Sequence, residues 1–426
     1  MTSIHASIGR AFSSSVFRQA TIASVGFSSA AKASFARTSA TLVLNPSHFP
    51  SKSVRVEKAQ QTGKRSFHNT HTTDFDSHFR SFGEAHSRTP IPYTSSLEGN
   101  SQLNYDPDLP RSGTHKKVSI VGCGQVGMAT AYAVLNQGLA GTISLIDMNR
   151  SKLEGEAKDL EQGSAFFQHT RILASDEYSV SKDSHLVIVT AGAAQKPGES
   201  RLSLVERNVS IMQSVIPKVL AYSPNAAICI VANPCDILTA VASKIAGPTL
   251  PAGRIFGSGT CLDSSRLRSL IAKSLNLDTS AVQGYILGEH GDSSVPIWSS
   301  VRIGGLPFLE LDEQPGEALM AMHSEVVNSA YDVIERKGST NWAIGLTSSW
   351  IGKAILHDTR NIMPLSTCVR GMYGIEDDVF LSVPCVLGAF GVHRTLEINL
   401  APSEREEFVK TAGTIWDIQK DIWRNI

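Results

Sequence analysis

The chain has 426 residues, 42% apolar and 18% charged, with 39 basic and 39 acidic side chains and a formal net charge of zero. That is enough chain and enough apolar residue for a sizeable core divided over two domains. It excludes collagen-like, disulfide-scaffold and acidic disordered chains as descriptions of the whole.

The zero net charge hides an uneven distribution. Residues 1–56 hold no Asp or Glu, and the first acid is Glu57. Arg10, Arg18, Lys32, Arg37, Lys52 and Arg55 lie in the same stretch, among many Ser and Ala. Arg-rich, Ser-rich and acid-poor is the composition of a mitochondrial or plastid transit peptide. Ile4, Ile8 and Phe12 recur at helical spacing, and no apolar run follows a basic start as a secretory signal requires. Arg65-Ser-Phe-His-Asn-Thr70 resembles the Arg-x-Phe-x-x-Thr pattern of two-step mitochondrial processing. The mitochondrial matrix is therefore expected first, a plastid second, and the cytoplasm if the leader does not act. Residues 75–113 read as linker, so 1–115 are expected to stand outside the fold. A cut after Arg65 removes nine of the 39 basic residues and one of the 39 acids, leaving a chain of about −8.

The folded part begins near Lys116. Short apolar strands are expected at 118–121, 142–147, 186–190, 227–231 and 254–256, with helices between them, notably at 126–136 and 202–220. Strands alternating with helices imply an α/β fold whose parallel sheet is covered on both faces. After residue 257 the pattern changes to helices mixed with hairpin-like strands, such as 285–287 and 301–303. Two domains are expected, at 116–257 and 258–426, the second of α+β character. No apolar run approaches the ~18 residues of a membrane span; the longest, Ala226–Ala232, is far shorter. Six cysteines without a C-x-x-C pair give neither a zinc site nor a disulfide framework, and no metal is expected. Cys123 and Cys235 fall in segments read as cofactor loops.

Gly122-Cys-Gly124-Gln-Val-Gly127 follows the first strand directly and opens the first helix. Gly122 permits the tight turn, Gly124 lets backbone approach a pyrophosphate, and Gly127 allows close helix packing. Asp147, at the end of the next strand, can accept both hydroxyls of an adenosine ribose and repels a 2′-phosphate. The reading is a Rossmann-type doubly wound sheet that binds NAD rather than NADP, with nearby Arg150 the one feature tempering that choice.

His290 stands in Gly288-Glu-His-Gly-Asp-Ser293, among Gly and polar residues. Taken with GCGQVG, AGAAQKPGESRLSLVERN, VANPCDILT, GSGTCLDSSRLR and KGSTNWAIG, in that chain context, the sequence resembles the lactate/malate dehydrogenase family. The resemblance runs from Lys116 to the C-terminus. It implies the following roles. His290 exchanges a proton with the substrate's oxygen, an imidazole being suited by its pKa. Asp263 orients that ring. Arg266, three residues on and on the same helical face, grips the substrate carboxylate with two hydrogen bonds. Arg201, in a loop that closes over substrate, polarises the ketone. Asn233 lies near the nicotinamide and the substrate oxygen. Thr340 lines the substrate and Ile344 the nicotinamide. Gln125, Val126, Ala191 and Gly192 complete the cofactor contacts.

Gln195 sets the expected substrate. Malate dehydrogenases of the family carry Arg there, to pair with a second carboxylate. A neutral Gln suits pyruvate, because burying an unpaired carboxylate is costly. The resemblance therefore implies a reversible pyruvate/lactate reaction. A malate or broader 2-hydroxyacid dehydrogenase is the alternative, and an idle scaffold is disfavoured by the intact constellation. Arg268 has Gln283 where sugar-bisphosphate-activated relatives carry a His, so no such activation is expected. Ser339 replaces a common aromatic and Cys235 a common Val. A homotetramer is expected, with no nucleic-acid partner, since the basic stretch lacks interleaved aromatics.

Overall fold

The computed structural model describes residues 116–167, 170–193, 201–309, 315–424 and 426, with only the backbone described at 201 and 202. The leader, processing-site and linker readings lie outside the described residues, as does Gln195.

Six parallel strands form the first half: β1 (Lys117–Val121), β2 (Thr142–Ile146), β3 (Arg171–Ser175), β4 (Leu186–Val189), β5 (Ala227–Ile230) and β6 (Ile255–Gly257). Every residue of β4 and β5 is buried, which explains their unbroken apolar runs. The strand order is 3-2-1-4-5-6. The order reverses between β1 and β4, and the carboxyl ends of the strands there form a ligand crevice. Helices α1 (Gln125–Asn136), α2 (Arg150–Gln162), α3 (Arg201–Tyr222) and α4 (Cys235–Ala246) alternate with these strands.

The sheet does not stop at β6. Gly257 pairs antiparallel with Ser366, joining β6 to β12 (Asn361–Cys368) and through it to β13 (Phe380–Gly388). β8 (Ile286–Gly288), β9 (Ser294–Pro296) and β14 (Gly391–Thr395) complete eleven strands. A three-stranded sheet contains β7 (Val282–Gln283), β10 (Arg302–Ile303) and β11 (Leu306–Pro307). Helices α5 (Cys261–Ser274), α6 (Glu317–Lys337), α7 (Trp342–His357) and α8 (Pro402–Trp423) belong to this second half. The expected α/β fold with an α+β C-terminal part is the one observed.

Boundaries moved by a residue or two. Arg254 lies before β6, which runs Ile255–Gly257, and Pro217 sits inside α3 without ending it. Several strands had no sequence expectation, β3, β12 and β13 among them. β3 is an edge strand, no residue of which is fully buried. β12 and β13 each contain a proline, which ordinarily argues against an interior strand. Pro364 and Pro384 pair with one another, so the two residues without an amide hydrogen share one rung.

Candidate active site

The cofactor loop is built by close backbone approach. Gly122 adopts φ +93°, and a Cβ there would lie 2.5 Å from the Ala191 nitrogen. A Cβ at Gly127 would collide with the Gly122 carbonyl. At Gly124 a Cβ would meet nothing within 4 Å, which leaves open space directly before the N-terminus of α1. The unpaired amides of a helix N-terminus favour an anion in such a space. Asp147 accepts the Cys123 amide on Oδ2 at 2.7 Å and the Asn149 amide on Oδ1 at 2.9 Å. That fixes its half-buried carboxylate at the carboxyl end of β2. Arg150 is turned to Glu154, at 2.9 Å, rather than held for a 2′-phosphate. This donor set fits NAD.

Ala191 and Gly192 follow β4, and Asn233 follows β5. Asn208 of α3 joins the two turns: its Oδ1 accepts the Ala193 amide at 2.7 Å, and its Nδ2 donates to the Asn233 carbonyl at 2.9 Å. Arg201 is the first residue of α3; its side chain lies outside what is described. Val126 and Ile344 both pack against the main core, and Thr340 is half-buried between α6 and α7. Gln125 shares a cleft of about 560 Å³ with Lys337, Gly338, Ser339, Asn341 and Trp342.

The chemical centre is one carboxylate. His290 Nδ1 donates to Asp263 Oδ2 at 2.6 Å, and Arg266 Nη1 donates to Asp263 Oδ1 at 3.0 Å. The Asp263 and Arg266 side chains share a face of α5, as their spacing implied. The geometry is set by two hydroxyls at the start of α5. Thr260 donates to the Ile286 carbonyl at 2.5 Å, and Ser264 accepts the Ile286 amide at 2.9 Å. They clamp α5 against β8, the strand from which the His290 loop departs. Glu289 then accepts the Ser293 amide at 3.2 Å, turning the loop back into β9.

Electrostatics follow from this packing. Burial alone would raise the Asp263 carboxyl; the His290 charge, its hydrogen bond and then Arg266 reverse that and hold it below its ordinary value. The Asp263 charge leads in pushing His290 up to about 9, against burial and against Arg266. The His290 side chain is 25% exposed, so the ring remains reachable. A buried His–Asp pair whose ring is reachable can pass a proton to a bound oxygen, and the neighbouring guanidinium can hold an anionic group beside it.

Cys235 does not lie in a loop: it opens α4, and its thiol is buried, facing the Ile230 carbonyl and Ser258. Burial pushes Cys123 and Cys235 up to about 12, which keeps both as thiols rather than reactive thiolates.

Known proteins are similar to this chain over both halves of the described fold. The lactate/malate dehydrogenase NAD-binding domain model covers residues 116–257, and the family's alpha/beta C-terminal domain model covers 260–424. The chain belongs to the lactate/malate dehydrogenase family. It is an NAD-dependent oxidoreductase of that family. The chain is 48% identical over 313 residues to the L-lactate dehydrogenase A chain of Gallus gallus, covering 72% of this chain and 94% of that one. It is 47% identical over 314 residues to the C chain of Sus scrofa, with the same two coverages. To the L-lactate dehydrogenase of Petromyzon marinus it is 46% identical over 321 residues, 74% and 96% of the two chains.

Sequence reasoning missed Asn208, Thr260, Ser264 and Asp236. Each acts on backbone groups of a distant segment, and nothing in its residue type or spacing announces the partner.

Proposed function

We propose that this protein interconverts pyruvate and (S)-lactate with NAD. The observation that carries the reading is the Asp263 carboxylate shared between His290 and Arg266. When bound, the reduced cofactor supplies hydride to the ketone carbon. His290, protonated and held on Nδ1 by Asp263, gives the Nε2 proton to the oxygen on which negative charge develops. Asp263 stabilises the imidazolium before that transfer and fixes the tautomer after it. Arg266 holds the substrate carboxylate and so the approach angle of the carbonyl. Arg201, at the start of α3, polarises the ketone. Asn233 and Thr340 orient the oxygen and the small substrate. Gly124, Asp147 and the first turn of α1 hold the pyrophosphate and the ribose.

Gln195 supports pyruvate over oxaloacetate, because it offers no charge to a second carboxylate. The change between residues 257 and 260 in family-model coverage supports a cofactor-binding part at 116–257 and a substrate part at 258–426. The exposed apolar stripe of Trp342, Leu346 and Trp350 on α7 supports self-association, for which a homotetramer is the reading. The acid-free leader supports import into an organelle, with the mitochondrial matrix first.

NADH oxidation measured side by side with pyruvate, oxaloacetate and 2-oxoisocaproate tests the reading. Pyruvate is expected to give the highest kcat/KM, and a preference for oxaloacetate would overturn it. Gln195→Arg is expected to raise oxaloacetate turnover and lower that of pyruvate. Sequencing the N-terminus of the mature protein from isolated organelles tests the leader; an N-terminus at Met1 in a cytoplasmic fraction argues against it.

A further inference from the structure

His290 lies between two buried carboxylates, and the chemistry above uses only one. The other is Asp236, the second residue of α4 and 3% exposed. Its Oδ2 accepts the His290 amide at 2.7 Å, across 54 residues of chain. Its Oδ1 is buried, and the side-chain group beside the carboxylate is the buried Ser366 hydroxyl. A carboxylate is an expensive choice for such a place if anchoring were its only role, since a neutral amide oxygen accepts an N–H as well and carries no buried charge. Asp236 also stands three residues after Asn233 in the same turn. One side chain therefore couples the segment carrying His290 to the segment carrying Asn233.

We propose that Asp236 is a positioning residue for His290: it ties the histidine's amide to the Asn233 turn and holds a second negative charge against the imidazolium. The inference rests on the reading of His290 as the proton-transfer group.

The charged groups around the pair come from several elements. Asp263 and Arg266 face His290 from α5 and Asp236 from α4, while Glu289, in the histidine's loop, bears on Asp236. His323 of α6, held by Ser294 at 3.2 Å, feels Asp263 from behind. Burial pushes the Asp236 carboxyl up to about 6, with Glu289 adding a like charge, while Ser366, the His290 amide and the His290 charge pull the other way. In the range near 9 where His290 titrates it is therefore ionised. Asp263 leads in raising His290, Asp236 adds to it, and Arg266 opposes. Removing the Asp236 charge lowers the histidine's pKa, so the protonated form that reduces pyruvate is lost at a lower pH.

The test compares Asp236→Asn and Asp236→Ala with the unmodified enzyme, following kcat/KM for pyruvate against pH, NADH affinity by fluorescence, and thermal unfolding. Asp236→Asn is expected to move the alkaline limb down by about half a pH unit or more, with NADH affinity kept. Asp236→Ala is expected to do the same and to lose about tenfold or more in kcat. A folded Asp236→Asn enzyme whose limb has not moved overturns the proposal. A second measurement needs no variant: hydrogen exchange at the His290 amide in the full enzyme is expected to run about a thousandfold slower than in free peptide. Exchange at the free-peptide rate overturns the anchor, and this result decides if neither variant folds. His290→Gln separates the two levels. If it abolishes reduction while the Asp236→Asn limb stays in place, the positioning role alone fails. If His290→Gln keeps activity, the reading beneath it fails.

Discussion

At the scale of single residues, Asp263 is the centre of the proposed chemistry because its two oxygens face two different cations. Oδ2 holds His290 and Oδ1 holds Arg266, at 2.6 and 3.0 Å. Replacing it by Asn removes the largest contribution that keeps His290 protonated. Asp263→Asn is therefore expected to bring the alkaline limb of pyruvate reduction down from near 9 toward the free-histidine value. At pH 7, kcat is expected to fall by roughly 10²–10⁴-fold, read from pH-rate profiles. Stability moves with it. The folded-state pKa of His290 lies above its unfolded value of 6.5, so its contribution is complete below 6.5 and is lost as pH rises through about 9. Thermal unfolding across that window should show a decline in the unmodified protein and a flatter curve in Asp263→Asn. Arg266→Lys keeps the charge but loses the planar two-pronged grip. Its KM for pyruvate is expected to rise about tenfold or more, with kcat reduced as the carbonyl loses its fixed approach. These three residues were legible because the motifs that carry them resemble those of the lactate/malate dehydrogenase family. Asp236 and Asn208 were not, because each is defined by an amide or carbonyl that only folding brings near.

At the scale of elements, the strands that were legible are those buried on both faces, whose apolar runs need no periodicity to be read. β3, β12 and β13 escaped, the first because an edge strand buries little, the others because Pro364 and Pro384 break the pattern while facing each other. Helix contacts were invisible for a different reason. α1 and α7 approach so closely that a Cβ at Gly345 would lie 2.8 Å from the backbone of Ala129. Gly to Ala in a helix interior ordinarily stabilises by about 0.5–1 kcal/mol. At Gly345 the sign is expected to reverse. Gly345→Ala should destabilise by about 1–3 kcal/mol through overpacking, seen as a lower Tm in thermal unfolding.

At the scale of the whole molecule, α7 turns one face inward and leaves another uncovered. Trp342, Leu346 and Trp350 recur every four residues and are 63%, 59% and 38% exposed. Three large apolar side chains on one helical stripe are more than isolated surface exposure. Leu346→Glu with Trp350→Glu is expected to shift the protein to smaller species in sedimentation velocity while leaving the fold unchanged by circular dichroism. Unchanged sedimentation would argue against the proposed self-association through this stripe. The charge asymmetry belongs to this scale as well: residues 66–426 carry about −8, and residues 1–65 bring the total to zero.

The sequence by itself determined the fold class, the cofactor loop with Asp147, and the trio His290, Asp263 and Arg266. The first two depend on local order, apolar runs of strand length and glycines at fixed offsets, and the trio on motifs that resemble the family's. Tertiary structure alone decided that the parallel sheet continues through Gly257 and Ser366 into antiparallel strands. It also decided that Thr260 and Ser264 clamp the histidine's strand, and that a second carboxylate stands behind His290. The physical reason is the same for each. A hydrogen bond between groups far apart along the chain depends on where the backbone returns, and residue identity carries no record of that.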